Sequence, residues 1–407
     1  MIMTRRIFVA SSLAAPAVLT GATRSWAEVE KILASGNVKG KLSKDDLPTP
    51  SLLLDLDLFE ANVQKMAAHA KARGRALRPH AKTHKCSELA KYLMSQGAVG
   101  ACSAKISEAE ALAAGGVTGL LVTGSLAGRH RIERGIALAA KRPETIFVVD
   151  NTQNAQDLND AAAAAKQKIN VAIDLLVGRR TGITPGEPAL GLARAVMQMK
   201  NLKLAGIQAY SGFSAHVQGF EKRRATSTEW MGQAVATRWL FEKDGIPCPW
   251  LSGGSTGTYN IDSEIDGVTE LQPGSYVFMD QGYGSIGSST GTDKYSDFAH
   301  SLTVVASVYS KPSDDIAVVD AGLKAFATDS GGTPESVSHP GVPYAWAGDE
   351  HGRLDLKKAP RAINLGDRVE FTVTHCDPTV NLYDRIFCHR GGQVEKIWRI
   401  NARGMSQ

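Results

Sequence analysis

"ALRPHAKTHKCSE", residues 76–88, places two histidines and two lysines within eight positions directly behind a short apolar run. The run 76–80 predicts a strand, and in a βα barrel the reacting groups lie at the C-terminal ends of the strands. So many like charges are costly together unless an anionic ligand offsets them, and cationic neighbours make a lysine a better imine-forming nucleophile by lowering its pKa. The alternative is a solvated basic loop.

The order of elements predicts an α/β architecture in at least two domains. Apolar, β-branched runs alternate with Ala-rich helical patterns, which favours a parallel sheet closed as a (β/α)₈ barrel, with an open doubly wound sheet as the alternative. Beyond about residue 300 the runs are strand-like only, which predicts a C-terminal β domain. The predicted strands up to that point are 51–57, 76–80, 99–103, 119–124, 145–150, 169–176, 202–212, 249–254 and 275–280.

The N-terminal segment resembles a twin-arginine export signal. Arg5 and Arg6 precede an apolar run over 7–19, and the segment ends with Ser25-Trp26-Ala27, after which we expect cleavage and hence a periplasmic protein. A short membrane anchor is the alternative, but this run of 13 positions is shorter than the roughly 20 residues that a span requires. We expect no membrane span in the mature form.

Charge and cysteine content exclude other classes of protein. Removing residues 1–27 lowers the formal net charge from +5 to +2, which leaves no basic field for nucleic acid. Five cysteines at irregular spacing in a long chain do not form a disulfide framework, so we assign no disulfides.

Two motifs and the domain order carry a resemblance to a known family. "RPHAKTHK" (78–85), "HCDPTVNLYD" (375–384) and the barrel-then-β order resemble the D-threonine aldolase and D-serine dehydratase family, from about residue 48 to the end. That family consists of pyridoxal phosphate enzymes with the alanine racemase fold (fold type III). The resemblance implies that strand 51–57 joins the β domain and that the barrel ends at 275–280. The expected divisions are 1–27 (signal), 28–57 (N-terminal segment and strand), 58–285 (barrel) and 286–407 (β domain).

The same resemblance assigns residues to the cofactor. Lys82 is expected to form the Schiff base with pyridoxal phosphate, while Lys85 is the alternative and is expected on the surface of the following helix. A tight turn rich in Gly, Ser and Thr suits a phosphate, and "LSGGSTGTY" (251–259) resembles the family's phosphate turn. Its candidate residues are Gly254, Ser255, Thr256 and Gly257.

Further candidates lie at the ends of other predicted strands. Arg180, preferred over Arg179 from the family's pattern, is expected to face the pyridine nitrogen and keep it unprotonated. Tyr210 and Tyr276 are expected to line the cofactor, with a core aromatic as the alternative for Tyr276. His80 and His216 are candidate substrate contacts.

The second motif supplies a candidate metal site. If residues 375–377 are in a strand, His375 and Asp377 project to the same side while Cys376 faces away. An imidazole and a carboxylate form half of a divalent site, which water and substrate oxygens complete. By resemblance, H-x-C with zinc marks the dehydratases and H-x-D marks the aldolases, so we expect Mn²⁺, with Mg²⁺, Co²⁺ or Zn²⁺ as alternatives.

The expected function is metal-dependent retro-aldol cleavage of a D-β-hydroxy amino acid such as D-threonine to glycine and an aldehyde. Dehydration of D-serine or 3-hydroxy-D-aspartate is the nearest alternative. An amino acid racemase, a non-catalytic carrier of pyridoxal phosphate and a metal-dependent hydrolase are weaker alternatives. By analogy with the fold's relatives we expect a homodimer.

Overall fold

The computed structural model describes residues 24–178 and 180–407. Most of the predicted export signal, including Arg5 and Arg6, lies outside these residues, and so does Arg179. Ala27, the predicted cleavage site, lies in the first turn of a helix. Across the described ranges, no helix is both long enough and apolar enough to cross a bilayer.

The strands of the described residues fall into two sheets. In chain order they are β1 (Ser51–Asp55), β2 (Ala76–Leu77), β3 (Ala101–Ser103), β4 (Leu120–Val122), β5 (Ile146–Val149), β6 (Ile169–Asp174), β7 (Leu202–Ala209), β8 (Trp250–Gly253), β9 (Glu270–Leu271), β10 (Leu302–Ser313), β11 (Ile316–Val319), β12 (Tyr344–Trp346), β13 (Gly352–Asp355), β14 (Arg368–Thr372), β15 (Arg385–Arg390) and β16 (Gln393–Arg399).

Helices follow most strands of the first half. They are α1 (Trp26–Ser35), α2 (Leu56–Ala72), α3 (Ser87–Ser95), α4 (Ile106–Ala114), α5 (Arg129–Lys141), α6 (Thr152–Ala164), α7 (Glu187–Gln198), α8 (Gly212–Ala215), α9 (Phe220–Lys243), α10 (Tyr259–Asp262), α11 (Gln281–Gly284) and α12 (Cys376–Val380), with 3₁₀ turns at Lys44–Asp46 and Ser275–Val277.

The first sheet is a parallel barrel. Its strands follow the order β2-β9-β8-β7-β6-β5-β4-β3, and hydrogen bonds between 77–81 and 99–102 close it, among them Cys102 N to Pro79 O at 3.0 Å. The predicted barrel is therefore confirmed, but the residues predicted for its last strand were wrong. β9 is the two-residue strand Glu270–Leu271, whereas 275–280 begins with a 3₁₀ turn and ends at the cap of α11.

The second sheet forms the C-terminal β domain. Its order is β12-β13-β11-β10-β1-β15-β16, with β14 also paired to β10. β1 lies between β10, to which it is antiparallel, and β15, to which it is parallel, so the expectation that this early strand joins the β domain is confirmed. Because β1 belongs to the β domain and the chain then continues into the barrel, the loops at the end of the barrel lie against the β domain.

The expectation of unpaired cysteines also agrees with the structure. The five thiols, all within the described residues, are free and buried. Each packs as a small apolar side chain in the interior.

Candidate active site

The loop after β2, residues 78–85, is called the lysine loop here. Its Lys82 side chain is 36% exposed, and its Nζ contacts a carboxylate oxygen of Asp377 from the β domain. Burial alone would lower the pKa of Lys82, but the Asp377 carboxylate outweighs burial and raises it. Burial would likewise raise the pKa of Asp377, yet the ammonium groups of Lys82 and Lys85 hold it below its ordinary value. The two motifs that are farthest apart in the chain thus meet.

The cationic crowding expected in this loop is resolved by the protein itself. Arg78 points into the barrel, where Nε and Nη2 donate to the two carboxylate oxygens of Glu270 at 3.0 and 2.9 Å. His80 and His84 are buried, and burial keeps both imidazoles neutral by lowering their pKa values, that of His84 to about 3. Arg78, His80 and His84 therefore leave no unpaired positive charge in the loop, and the expected anionic ligand stays a prediction.

Lys85 was also placed wrongly, because it precedes α3 and is half-buried rather than exposed on that helix. Its Nζ donates to two main-chain carbonyls, Lys82 O at 2.5 Å and Asp377 O at 2.7 Å. Burial lowers the pKa of this ammonium, although the Asp377 carboxylate opposes that effect. Lys85 thus lies inside the site.

Residues 375–377 form what is called here the H-x-D turn. They were predicted to be in a strand, but β14 ends at Thr372 and His375 is the N-cap of α12. His375 and Asp377 nevertheless line the same cleft, because the turn replaces the alternation of a strand. His375 Nδ1 lies 2.6 Å from a carboxylate oxygen of Asp329, which leaves Nε2 as the atom available to a metal.

The middle residue of the turn points away from the cleft, as expected. Cys376 is fully buried, and burial raises the pKa of its thiol. Its main-chain N–H donates to Asp280 Oδ2 at 2.9 Å, and Asp280 Oδ1 accepts from Tyr283 N at 2.9 Å. The buried Asp280 carboxylate therefore ties the turn to the end of the barrel domain.

Residues 254–257 after β8 form what is called here the glycine turn. Gly254 has φ +74°, in the left-handed region, and a Cβ at Gly257 would overlap the Ala215 carbonyl oxygen. Ser255 and Thr256 are buried, and Ser255 N donates to Thr258 Oγ1 at 3.2 Å. Only glycine fits the first and last positions, so the main chain can come close to a ligand.

The backing of the glycine turn contains a residue that the sequence gave no reason to single out. Arg223 on α9 is fully buried and donates only to main-chain carbonyls, among them Gly257 O at 2.8 Å and Ile286 O at 2.6 Å. Burial lowers the pKa of its guanidinium. Arg223 stabilises the turn from behind, and its contacts are too distant in the chain to predict.

Arg180 and Tyr210 come together at the barrel mouth. The Arg180 guanidinium lies 5.6 Å from the centre of the Tyr210 ring, directly beyond the ends of β6 and β7. Asp174, at the end of β6, is buried; burial raises its pKa and the Arg180 charge opposes that rise. Both residues thus lie beyond the C-terminal ends of barrel strands, and their contact with the cofactor stays a prediction.

The remaining candidates lie around this mouth. Tyr276 is in a 3₁₀ turn rather than a strand, and its buried ring packs at 5.7 Å from Phe298. His80 is buried within the barrel, where its Nε2 lies 3.3 Å from Thr123 Oγ1, and its contact with substrate stays a prediction. His216 caps α8 and stacks on Tyr283 with ring centres 4.4 Å apart.

A cleft of about 380 Å³ joins the lysine loop to the H-x-D turn. Its lining includes Lys82, Lys85, Asp329, His375 and Asp377. Buried polar atoms without a partner in the described chain lie close by in sequence, namely Thr83 Oγ1, His84 Nε2 and Ser103 Oγ. Thr83 and His84 belong to the lysine loop itself, and the glycine turn, where only glycine fits the first and last positions, is the part of the barrel mouth that suits the phosphate of pyridoxal phosphate.

The side chains that could bind a metal are fewer than the groups that could bind the cofactor. Within the described ranges no group of three or more His, Cys, Asp or Glu side chains is arranged to hold an ion. His375 and Asp377 supply one imidazole and one carboxylate, which is the pair expected from the sequence. They fit an ion whose other ligands are water and substrate oxygens.

Comparison with known proteins places the chain in a family. The alanine racemase N-terminal domain matches residues 54–282, and a putative serine dehydratase domain matches 301–389. A 3-hydroxy-D-aspartate aldolase of Paracoccus denitrificans is 37% identical over 89% of this chain and 94% of its own. A D-threonine aldolase of Arthrobacter sp. is 36% identical over 88% of this chain and 93% of its own.

The solved structures agree. The D-threonine aldolase of Filomicrobium marinum superposes with a TM-score of 0.84 at 38% identity, covering 89% of this chain and 98% of its own. A D-threo-3-hydroxyaspartate dehydratase from Delftia sp. is more distant, at 31% identity over 70% of this chain and 74% of its own. The chain belongs to the D-threonine aldolase and D-serine dehydratase-like family of proteins with the alanine racemase fold.

Proposed function

We propose that this protein is a pyridoxal phosphate- and divalent metal-dependent aldolase that cleaves D-β-hydroxy amino acids to glycine and an aldehyde. One observation carries the proposal: Lys82 from the barrel touches Asp377 from the β domain, beside His375 in one cleft. A cofactor amine and a metal pair can then act on the two ends of one small substrate. The aldolase relatives are also more similar to this chain than the dehydratase.

The cofactor would be held at three points of the barrel mouth. Lys82 would bond to its aldehyde carbon, and the main-chain N–H groups of the glycine turn would bind its phosphate. Arg180 would face the ring nitrogen and keep that nitrogen unprotonated. When bound, pyridoxal phosphate supplies an electron sink for the bonds at the substrate Cα.

The metal would be held by His375 Nε2 and a carboxylate oxygen of Asp377. When bound, the ion would supply a Lewis acid for an oxygen atom of the substrate, and we propose Mn²⁺ among the candidate ions. Asp329 would keep the proton of His375 on Nδ1, so that Nε2 presents a lone pair. Asp377 has a lowered pKa and so stays ionised throughout the neutral range.

Dehydration of D-serine or 3-hydroxy-D-aspartate is the second candidate, because the same pair of ligands could activate a β-hydroxyl as a leaving group. Asp377 speaks against it, since by resemblance a cysteine occupies this position in dehydratases. A racemase would not need the H-x-D turn, and neither would a non-catalytic carrier. A purely metal-dependent hydrolase would leave Lys82 and the glycine turn without a use.

Two further proposals concern the whole protein. Residues 5–19 favour twin-arginine export to the periplasm, with cleavage near Ala27. A homodimer is proposed by analogy with the fold's relatives. Cell fractionation and light scattering would test these two proposals separately.

The decisive assay incubates the purified protein with D-threonine, L-threonine, D-serine and 3-hydroxy-D-aspartate, with Mn²⁺ or EDTA, and measures glycine, aldehyde, keto acid and ammonia. We expect glycine and aldehyde from the D-β-hydroxy acids with Mn²⁺ only. EDTA should abolish turnover but keep the visible absorbance of the bound cofactor. Rapid pyruvate from D-serine with no glycine from D-threonine would assign the dehydratase function instead.

Lys82→Ala tests the cofactor. We expect it to lose the visible absorbance and at least roughly 10⁴-fold in kcat, because a covalent attachment point is lost. Lys105→Ala removes an exposed lysine of the same cleft and should keep the absorbance. Full activity in Lys82→Ala would reject the proposed chemistry.

A further inference from the structure

Lys85 is the second lysine of the lysine loop, and it connects two segments that are 292 positions apart in the chain. Its Nζ donates to Lys82 O at 2.5 Å and to Asp377 O at 2.7 Å. One ammonium therefore binds the main chain of the proposed cofactor lysine and the main chain of a proposed metal ligand. Neither bond uses the side-chain atoms of Lys82 or Asp377, which pair with each other.

The backbone of Lys85 is held in a conformation that lysine disfavours. Its φ is +50°, in the left-handed region where Gly and Asn are tolerated best. Lys85 N donates to Ala81 O at 2.7 Å, and Lys85 O accepts from Ala402 N at 2.9 Å. A strained conformation at a site is retained when surrounding contacts fix it, and here the side chain aims across the domain boundary.

The charge of Lys85 is also unusual. A buried ammonium is generally paired with a carboxylate, yet the hydrogen bonds of Lys85 Nζ to Lys82 O and Asp377 O go to neutral carbonyls. The carboxylates of Asp377 and Glu108 act on it only through space. Such an arrangement is costly unless the geometry that it enforces is useful.

We propose that Lys85 is a positioning residue that holds the H-x-D turn at a fixed distance from the lysine loop, so that the metal pair and the cofactor lysine meet across the domain boundary. The inference rests on the proposed function for the identity of the ligands. It adds a residue that neither bonds to the cofactor nor binds the metal.

Three substitutions separate the side-chain bonds from the backbone conformation. Lys85→Met keeps the length and removes the donors, and Lys85→Arg keeps donors. Lys85→Asn relieves the left-handed backbone, and its neutral amide is too short to bridge both carbonyls, so it should lose the connection but keep thermal stability near that of the parent protein. Lys105→Met is the matched control, because Lys105 lines the same cleft, is exposed and loses the same charge.

The first readout is Mn²⁺ affinity, measured by electron paramagnetic resonance on EDTA-stripped protein that retains its cofactor. We expect Lys85→Met and Lys85→Asn to raise the Mn²⁺ dissociation constant at least tenfold while keeping the cofactor absorbance. Lys85→Arg should recover most of the loss, and Lys105→Met should stay within twofold. Parent-like Mn²⁺ affinity in Lys85→Met and Lys85→Asn would overturn the inference.

The second readout needs no metal and therefore separates this inference from the proposed function. Hydrogen–deuterium exchange of peptides covering 78–86 and 373–382 should speed up severalfold in Lys85→Met and Lys85→Asn and remain unchanged in Lys105→Met. A parent protein that binds no Mn²⁺ would refute the proposed metal site, but faster exchange in both peptides would still support the positioning role. Unchanged exchange in both peptides would refute it.

Discussion

The glycine turn lies directly after β8 of the barrel and the H-x-D turn lines the cleft, and the two turns are held in different ways. The glycine turn is fixed by contacts within its own domain: Ser255 bonds to Thr258 three residues on, and Arg223 holds Gly257 O from α9. The H-x-D turn receives its bonds from Asp329, Asp280 and the lysine loop. A local turn can form with its domain, whereas the H-x-D turn acquires its geometry only when barrel and β domain pack together.

The difference predicts where a mutation acts. Changes in the glycine turn should alter the barrel and its cofactor together, since fold and binding share the same contacts. Changes around the H-x-D turn should alter metal binding with little effect on folding. The following substitutions test this comparison.

Asp377→Asn should have the largest effect, because it removes the charged member of the proposed metal pair. We expect kcat/KM for D-threonine to fall roughly 10³-fold, which corresponds to the several kcal/mol that a Lewis acid contributes. The cofactor absorbance should remain. Asp160→Asn, on the exposed face of α6, is the control. Loss of the absorbance together with activity would show that the two turns are not separable.

Asp329→Ala should have the next largest effect. It removes the carboxylate that orients His375, and such supporting residues usually contribute about 10- to 100-fold in metal affinity. The Asp329 side chain is 52% exposed, so thermal stability should change little. Mn²⁺ titration checks the first expectation and thermal unfolding the second. A change in Mn²⁺ affinity below twofold would remove Asp329 from the site.

Gly257→Ala tests the other turn. The added Cβ would overlap Ala215 O, so we expect the free energy of unfolding to fall by about 2 kcal/mol and pyridoxal phosphate to bind more weakly. Gly191→Ala is the matched control, because a Cβ there meets nothing within 4 Å and helix α7 should gain up to about 1 kcal/mol. Denaturant unfolding with and without cofactor measures both. Equal stability of the two variants would contradict the tight packing of the turn.

The barrel could be predicted from the sequence because apolar, β-branched runs are typical of buried strands. The prediction failed where a buried segment is not a strand. Residues 275–280 are as apolar as the strands, but they form a 3₁₀ turn packed near Phe298. The actual last strand, β9, is two residues long, and the carboxylate of its Glu270 accepts a hydrogen bond from the buried Arg78 guanidinium. An apolar run shows that a segment is buried, not that it is extended.

The two motifs of the site could be predicted from the sequence, but the contacts that their residues make could not. "RPHAKTHK" and H-x-D supplied the residues that meet, although the strand argument for His375 and Asp377 was wrong. Asp329 lies 46 positions from its partner and Lys85 lies 292 positions from one of its acceptors, so no local pattern links them. Long-range hydrogen bonds of this kind follow from domain packing.

Acid sensitivity gives the smallest and most selective test, because the lysine loop and the H-x-D turn lose stability in different pH ranges. The folded-state pKa of His84 is about 3 against 6.5 for a free imidazole, so its contribution is complete above pH 6.5 and declines as the pH falls toward 3. The pKa of Asp377 is also lowered, but from 3.8, so its contribution declines only below that pH. Between pH 7.5 and 5.5 the Asp377 contribution does not change, whereas that of the His84 imidazole falls by about 1.4 kcal/mol.

His84→Gln should therefore reduce the loss of unfolding free energy between pH 7.5 and 5.5 by about 1.4 kcal/mol, measured by urea unfolding at the two pH values. His130→Gln is the control, since His130 is exposed on α5. His80 is buried as well and should retain its own share of the acid sensitivity. If His84→Gln and His130→Gln change equally, protonation of His84 does not limit stability in this pH range, and the acid sensitivity would have to arise at other buried histidines such as His80.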